Sequence, residues 1–180
     1  MAAADEALIA RIKHLSSTGR LGPNYDHDIV AYNHRMTNIQ AAVGVAQLER
    51  LDSFLERKHE IRDQYAALAQ KFDVLEPFPT PRNGRNGYWF SGVWYTGDSA
   101  GKDLEFQTHM KAAGVDLRPF WKPLHLQKPY LDAVTEPMPV TDDLWQRIFP
   151  LPCSTHIPQS DLDTTISAAF DFWNGHKEHS

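Results

Sequence analysis

The sequence NHRMTNIQAAVGVAQLERLD occupies residues 33–52 and predicts where the longest helical region begins. Thr37 and Gln40 have the spacing of a capping box, in which the threonine and glutamine side chains satisfy two backbone donors at a helix start. The residues that follow are mostly apolar or good helix formers. Because a cap and a helix-forming run coincide, we expect a helix to begin directly after Thr37.

The helical region extends over residues 37–76, where apolar side chains recur at helical spacing. Their stripe changes face near Ser53, which predicts either one bent helix or two consecutive helices. Ser53 and Glu56 could form a second capping box, and this favours two helices.

Upstream, residues 1–36 begin with a short amphipathic helix capped by Asp5, with Gly19 beyond its end. Residues 16–36 are rich in Gly, Ser, Asn and Asp, which favour turns, so this stretch is predicted to be a loop. We expect residues 1–36 to form the tail of a larger domain and residues 37–76 to form the connecting helices. Residues 77–180 would then form a small C-terminal domain.

The C-terminal part alternates strand and helix patterns, separated by proline-rich segments. Pro77, Pro79 and Pro81 indicate an exposed connector. After it we predict a strand over 88–95 with a bulge at Gly92, a helix over 104–113 and a strand over 115–118. A short helix over 141–146 and a strand over 148–152 follow. The last helix is capped by Ser160, with Gly175 after its end. This order predicts an α+β fold, a small antiparallel sheet covered by helices.

Composition excludes several functional classes. The formal net charge of -5, without a basic cluster, argues against nucleic acid as a partner. The single cysteine, Cys153, excludes an internal disulfide, and its position without a base partner predicts a packed thiol. We find neither a leader-like start nor an apolar run long enough to cross a membrane, so we expect a cytoplasmic protein. Histidine spacing predicts no metal site.

The loop over residues 27–36 is the first candidate site, because it places cations and amide donors just before a helix N-terminus. Backbone donors and the helix dipole favour an anion there, and Arg35 could bind a phosphate with two parallel hydrogen bonds. The alternative is that Asn33 caps the loop while Arg35 pairs with Asp26 or Asp28 at the surface.

The second candidate site is the stretch RPFWKPLH at residues 118–125, where prolines stiffen a loop that carries two cations, an aromatic ring and an imidazole. Lys122 and Arg118 suit a diphosphate, Trp121 suits the face of a sugar or base, and His125 can donate or accept a hydrogen bond. The alternative is structural, with Trp121 and Leu124 in the core and His125 bonded to a carbonyl group.

Residues 33–52, the loop ending in Pro-Leu-His at 123–125, and the Phe-Pro-Leu-Pro run at 149–152 together resemble the DegT/DnrJ/EryC1/StrS aminotransferases. The resemblance covers nearly the whole chain. It is strongest to members that aminate 4-keto-6-deoxy sugars carried on nucleotides, such as perosamine synthases. It implies the C-terminal part of a type I aminotransferase homodimer that uses pyridoxal phosphate and takes the amino group from glutamate.

The resemblance also implies roles for individual residues. In the family, the asparagine matched by Asn33 reaches the cofactor phosphate of the partner subunit. Arg35 and His125 match contacts to the nucleotide-sugar substrate, and Trp121 and Lys122 are neighbouring candidates for substrate binding. His34 departs from the family pattern, which has tyrosine at this position.

The family's Schiff-base lysine lies in a cofactor-binding domain that precedes the region matched by residue 1. We therefore assign no catalytic residue and expect the 180 residues alone to be inactive in transamination, because that chemistry needs a lysine amine to hold the cofactor. The alternative is a non-catalytic binding or oligomerisation module derived from this family.

Overall fold

The computed structural model describes residues 5–23, 25–81, 83–84, 86–97 and 102–176. The chain forms two compact units, Met1–Leu51 and Asp52–Ser180. None of the described helices is both long enough and apolar enough to cross a bilayer.

The first unit begins with α1, Glu6–Ser16, whose N-terminus is capped as predicted. The Asp5 carboxylate accepts hydrogen bonds from the backbone N–H groups of Ala7 and Leu8 at 2.9 and 3.1 Å. The stretch predicted to be only a loop contains a small antiparallel hairpin of β1, Arg20–Leu21, and β2, Asp26–His27. Two-residue strands have too few residues to show an alternating pattern, so the sequence could not reveal them.

The predicted capping box is present at the start of α2, Asn38–Glu49. The Gln40 N–H donates to the Thr37 hydroxyl at 3.3 Å, and the Thr37 N–H donates to the Gln40 side-chain oxygen at 2.8 Å. None of the residues of α2 is buried.

Two consecutive helices are found, because α3 spans Leu51–Ala69 directly after α2. The helices separate at Arg50, whose N–H donates to the carbonyl groups of Gln47 and Leu48. Ser53 lies inside α3, so the prediction that it caps the second helix is wrong.

The second unit contains a three-stranded antiparallel sheet in the order β3-β4-β5, formed by Leu75–Pro77, Ser91–Tyr95 and Ile148–Leu151. The strand β3 was not predicted, because residues 75–76 were assigned to the helical region and Pro77 to the connector. The helical region ends earlier than predicted, at Ala69. It is an edge strand, where proline is tolerated since one side of the strand needs no ladder partner. The strand β4 begins three residues later than predicted, and Tyr88, with φ of 44°, does not have an extended backbone.

Gly92 marks a close approach between strands, and the predicted bulge is wrong. Gly92 lies in regular register opposite Pro150. A Cβ atom at this position would lie 2.1 Å from the carbonyl oxygen of Phe149. The glycine is therefore needed for the backbones of β4 and β5 to pair at this point.

Three further helices of the second unit are α4, Lys102–Ala112, α5, Pro139–Leu144, and α6, Gln159–Gly175. Residues 124–126 and 128–130 form two 3-10 turns. Residues 115–118 are irregular, where a strand was predicted. The helices α5 and α6 begin before the predicted caps Thr141 and Ser160, each near a proline whose fixed φ suits a helix start. Gly175 is the last residue of α6, where the sequence placed it after the end.

The core lies in the second unit and joins helix and strand side chains. Its members include Ile61, Tyr65 and Leu68 of α3. In the same core, Phe106 of α4 packs edge to face against Phe149 of β5, with ring centroids 5.1 Å apart. Each fully buried aliphatic or phenyl side chain contributes about 1.5–3 kcal/mol relative to an exposed one. The predicted α+β class, a small antiparallel sheet with helices packed on it, is confirmed.

Candidate functional site

The first unit contains an open cleft, here called the Asn33 cleft, which includes both residues predicted from the first loop. Its lining residues are Ser17, Thr18, Arg20, Gly22, Pro23, Asn33 and Arg35. Ser17, Thr18 and Arg20 were not identified from the sequence, because they lie more than ten residues before Asn33 and only the fold brings them near it.

Backbone pairing fixes Asn33 beside the end of α1. The Tyr32 N–H donates to the Leu15 carbonyl group, and the His34 N–H donates to that of Ser16, both at 2.9 Å. The Thr18 N–H donates back to the Tyr32 carbonyl group at 2.9 Å, so that Ser17 and Asn33 form an isolated antiparallel bridge. The position of Asn33 therefore depends on a tertiary contact.

The chain turns into this bridge at Gly19, which has φ of 63°. A Cβ atom at Gly19 would lie 2.8 Å from both the side chain and the carbonyl oxygen of Ile29. The rings of Tyr32 and His34, which flank Asn33 in sequence, stack with centroids 5.2 Å apart and an interplanar angle of 12°. His34, which departs from the family pattern, thus serves as a stacking partner for Tyr32.

The alternative role of Arg35 as a surface ion-pair partner is not observed. Asp28 pairs with His14, whose Nε2 lies 2.6 Å from the Asp28 Oδ1. Within the described ranges, the Arg35 guanidinium forms neither a hydrogen bond nor an ion pair with a protein group, and the residue is exposed at the cleft. Its five N–H donors are therefore available to an external anion.

The donor set of the Asn33 cleft suits a phosphate group. It combines the Ser17 hydroxyl group, an amide and two guanidinium groups, and no carboxylate is found among the described residues that line it. The Thr18 hydroxyl group donates to the Ser17 carbonyl oxygen at 2.6 Å. Arg20 is partly engaged, since it donates to the Pro23 carbonyl group and lies over the Tyr25 ring at 4.4 Å. Guanidinium and hydroxyl donors bind phosphate oxygens with charge-assisted hydrogen bonds.

A second cleft, the Trp121 cleft, lies in the second unit. Its lining residues are Phe90, residues 116–121 and residues 150–153. Trp121 is 58% exposed and meets the edge of Phe90, with centroids 5.0 Å apart and an angle of 88° between the rings. Trp89 is 73% exposed and lies 5.8 Å from Trp121 between centroids. Trp89 was assigned to a strand from the sequence, so its place beside Trp121 is evident only from the structure.

The His125 ring contacts a carboxylate. The structural alternative considered for His125 was a hydrogen bond to a carbonyl group, and this is not what the structure has. Its Nε2 lies 2.6 Å from the Oδ1 of Asp142, and 14% of the His125 side chain is exposed. Lys122 is exposed, and its carbonyl group accepts a hydrogen bond from the Gln127 side chain at 3.1 Å. Trp121 lines the cleft, but Lys122 and His125 are not among its described lining residues.

One wall of the Trp121 cleft is fixed by α3. The buried Tyr65 hydroxyl donates to the Pro152 carbonyl oxygen at 2.6 Å, and Lys58 Nζ donates to the carbonyl groups of Cys153 and Trp89. Burial, with a smaller contribution from nearby Cys153, raises the pKa of the Tyr65 phenol well above its ordinary value. The half-buried Cys153 thiol lies 3.5 Å from Lys58 Nζ. The position of residues 152–153 thus depends on polar contacts that the sequence did not reveal.

The described parts of the chain contain no cluster of three or more His, Cys, Asp or Glu side chains that could hold a metal ion.

Comparison with known proteins identifies close relatives of the sequence. A model of the DegT/DnrJ/EryC1/StrS aminotransferase family matches residues 1–169. The GDP-perosamine synthase of Caulobacter vibrioides is 31% identical over 173 residues, which cover 91% of this chain and 45% of that enzyme. The GDP-perosamine synthase of Escherichia coli O157:H7 is 31% identical over 149 residues, covering 82% of this chain and 40% of that enzyme. The chain therefore spans less than half the length of these two relatives.

Solved structures show the same fold. The crystal structure of the aminotransferase TlmJ from Streptoalloteichus hindustanus matches with a TM-score of 0.82 at 22% sequence identity. The match covers 97% of this chain and 47% of TlmJ. Both units of the chain therefore have counterparts within one larger aminotransferase chain.

Proposed function

The chain belongs to the DegT/DnrJ/EryC1/StrS aminotransferase family, and we propose that it is the C-terminal portion of a pyridoxal-phosphate-dependent aminotransferase acting on a nucleotide-linked 4-keto-6-deoxy sugar. The amino donor in this proposal is glutamate. The observation that carries the proposal is the Asn33 cleft, which gathers phosphate donors around the residue that matches the family's cofactor contact. The GDP-perosamine synthases among its relatives support the choice of a sugar nucleotide.

The Asn33 cleft fits the phosphate group of pyridoxal phosphate. The Asn33 amide would donate to a phosphate oxygen, and the Ser17 hydroxyl group offers a further donor on the same cleft. When bound, the cofactor supplies a conjugated ring that acts as an electron sink for amino transfer. The chain's own contribution is to bind and orient the anionic end of that molecule.

The substrate contacts in this proposal are Arg35, Trp121, Lys122 and His125. Arg35 and Lys122 carry positive charge at exposed positions and suit the diphosphate of a sugar nucleotide. Trp121 presents an exposed ring on which a base or a sugar face can stack. His125 offers an imidazole nitrogen for a hydrogen bond with a hydroxyl or phosphate oxygen.

The isolated chain would not transaminate in this proposal, because the reaction needs a lysine amine beside the cofactor. Among the described residues, no lysine lines the Asn33 cleft or the Trp121 cleft. Lys58, which contacts the Cys153 segment of the Trp121 cleft, donates to the carbonyl groups of Trp89 and Cys153 and so has a structural role. A lysine from the remainder of the family fold would complete the site.

A homodimer is part of the proposal. The helix α2 has no buried residue, and its exposed apolar side chains include Ile39 at 78% and Leu48 at 69% exposure. An apolar helix surface of this kind is typical of one that a protein partner covers. The same observation favours the second candidate function, a non-catalytic oligomerisation module that uses α2 without binding a sugar nucleotide.

A chimera tests the leading proposal. It joins the N-terminal part of the C. vibrioides GDP-perosamine synthase, up to the start of the match, to this chain. We expect glutamate-dependent amination of a GDP-linked 4-keto-6-deoxy sugar by the chimera, and none by the isolated chain. A folded chimera that binds pyridoxal phosphate but gives no turnover, in a preparation where the parent enzyme is active, would count against the proposal and for the module. Turnover by the isolated chain would refute the requirement for a lysine from elsewhere.

A further inference from the structure

The short contact between His125 and Asp142 joins two segments that are seventeen residues apart in sequence. His125 lies in the 3-10 turn over residues 124–126, and Asp142 lies in α5. The Nε2 to Oδ1 distance is 2.6 Å, with the ring mostly covered and the carboxylate 48% exposed. A contact this short between an imidazole and a carboxylate is typical of a charge-assisted hydrogen bond.

The backbone of the loop is held by contacts that do not involve Asp142. The Leu126 N–H donates to the Pro123 carbonyl group at 3.1 Å, and the Gln127 N–H donates to that of Leu124 at 2.9 Å. The Gln127 side chain closes the loop onto the Lys122 carbonyl group. Since these bonds hold the backbone, the carboxylate of Asp142 acts mainly on the orientation of the ring.

The neighbouring acid has a different partner. Asp143 pairs with Arg147 at 2.9 Å, an interaction between positions i and i+4 at the end of α5. Asp142 and Asp143 are therefore two adjacent carboxylates of similar exposure, of which only the first contacts His125. This makes Asp143 a matched control for any effect of Asp142.

We propose that Asp142 is a positioning residue that fixes the tautomer and ring orientation of His125. The inference rests on the proposed function, in which His125 contacts the nucleotide sugar. A carboxylate that accepts from Nε2–H leaves Nδ1 of the neutral ring with its lone pair, ready to accept from a substrate hydroxyl group. Carboxylate partners fix histidine rings in this way at metal and catalytic sites.

The first measurement is made on the chain itself, by long-range proton–nitrogen NMR of the histidine rings. In the wild type we expect a protected Nε2–H proton on His125, assigned by its loss in His125→Ala. In Asp142→Ala its exchange with water should accelerate by about 10–100-fold, the equivalent of a charged hydrogen bond. Asp143→Ala should leave it unchanged. Unchanged protection in Asp142→Ala would overturn the inference.

The second measurement separates this inference from the proposed function by a double-mutant cycle in the chimera described above. We expect His125→Ala and Asp142→Ala each to lower kcat/KM for the GDP-linked keto sugar, with the double variant no worse than His125→Ala, because Asp142 acts through the ring. If His125→Ala lowers kcat/KM and Asp142→Ala does not, the positioning role of Asp142 is refuted while the substrate contact proposed for His125 stands. If His125→Ala has no effect, the substrate contact proposed for His125 fails, and the inference fails with it.

Discussion

The Tyr65 hydroxyl donates a 2.6 Å hydrogen bond to the carbonyl oxygen of Pro152, across 87 positions of sequence. Tyr65 is fully buried in α3, and Pro152 directly follows β5 on the wall of the Trp121 cleft. This bond, with those that Lys58 forms nearby, connects the long helix to the segment that leaves the sheet.

Removal of this hydroxyl group should destabilise the fold. Tyr65→Phe keeps the ring but leaves the Pro152 carbonyl group without its donor, which we expect to cost about 1–3 kcal/mol in the free energy of unfolding. Urea denaturation measures the change. The control is Tyr130→Phe, whose side chain is about half exposed and whose stability should stay within about 0.5 kcal/mol of the wild type.

The same residue should make stability fall at alkaline pH. The pKa of Tyr65 is raised in the folded chain above its ordinary value of 10.0, chiefly by burial. The contribution of Tyr65 to the free energy of unfolding is therefore complete below about pH 10. Above that pH it declines by about 1.4 kcal/mol per pH unit, because the Tyr65 phenol ionises in the unfolded chain. The difference in unfolding free energy between wild type and Tyr65→Phe should thus shrink between about pH 10 and 11. A difference that stays constant over this range would contradict the burial of a neutral phenol.

Two glycines should respond to alanine in opposite directions. At Gly92 a methyl group would lie 2.1 Å from the Phe149 carbonyl oxygen, so β4 and β5 would have to separate. We expect Gly92→Ala to lower stability by more than about 3 kcal/mol or to prevent folding. At Gly44, inside α2, a Cβ atom meets nothing within 4 Å, and alanine should raise helix stability by about 1 kcal/mol. Circular dichroism during thermal unfolding compares the two variants, and equal effects would refute the packing argument.

Arg35 should affect ligand binding far more than stability. Its guanidinium has no protein partner within the described ranges, so Arg35→Ala should change the free energy of unfolding by less than about 0.5 kcal/mol. In the chimera, KM for the GDP-linked sugar should rise about 10–100-fold, because a charged hydrogen bond to phosphate is lost. Arg11→Ala, at an exposed position of α1, removes the same charge and should leave KM unchanged. Equal effects of the two variants would indicate a general electrostatic contribution only.

The exposed face of α2 should control oligomeric state. In the proposed homodimer, Leu48→Glu places a charge on an apolar surface and should produce monomers in sedimentation velocity experiments. Gln47→Glu adds the same charge at the neighbouring polar position and should have a smaller effect. Because Leu48 is exposed, neither variant should destabilise the folded chain by more than about 0.5 kcal/mol. A wild-type chain that is monomeric at all concentrations would exclude self-association of the isolated chain.

Local signals in the sequence were read correctly where the physical cause is local. The caps formed by Asp5 and by Thr37 with Gln40 were predicted because the side chain and the backbone group it satisfies are at most three residues apart. The helix ended by Gly114 was predicted for the same reason, since Gly114 has φ of 81° two residues after the end of α4. The caps predicted at Ser53 and Ser160 were placed wrongly, because Ser53 lies inside α3 and Ser160 lies inside α6.

The sequence by itself determined the α+β class and the stretches that carry Asn33, Arg35, Trp121, Lys122 and His125, because these follow from residue type and short-range spacing. The family was indicated by the resemblance of its motifs to known members. Only the tertiary structure decided the partners of these residues. Ser17 opposite Asn33, Trp89 beside Trp121, Asp142 on His125 and Tyr65 on Pro152 are all contacts between segments distant in sequence. Such pairs leave no periodic or local pattern in the chain, because they form only when packing brings the segments together.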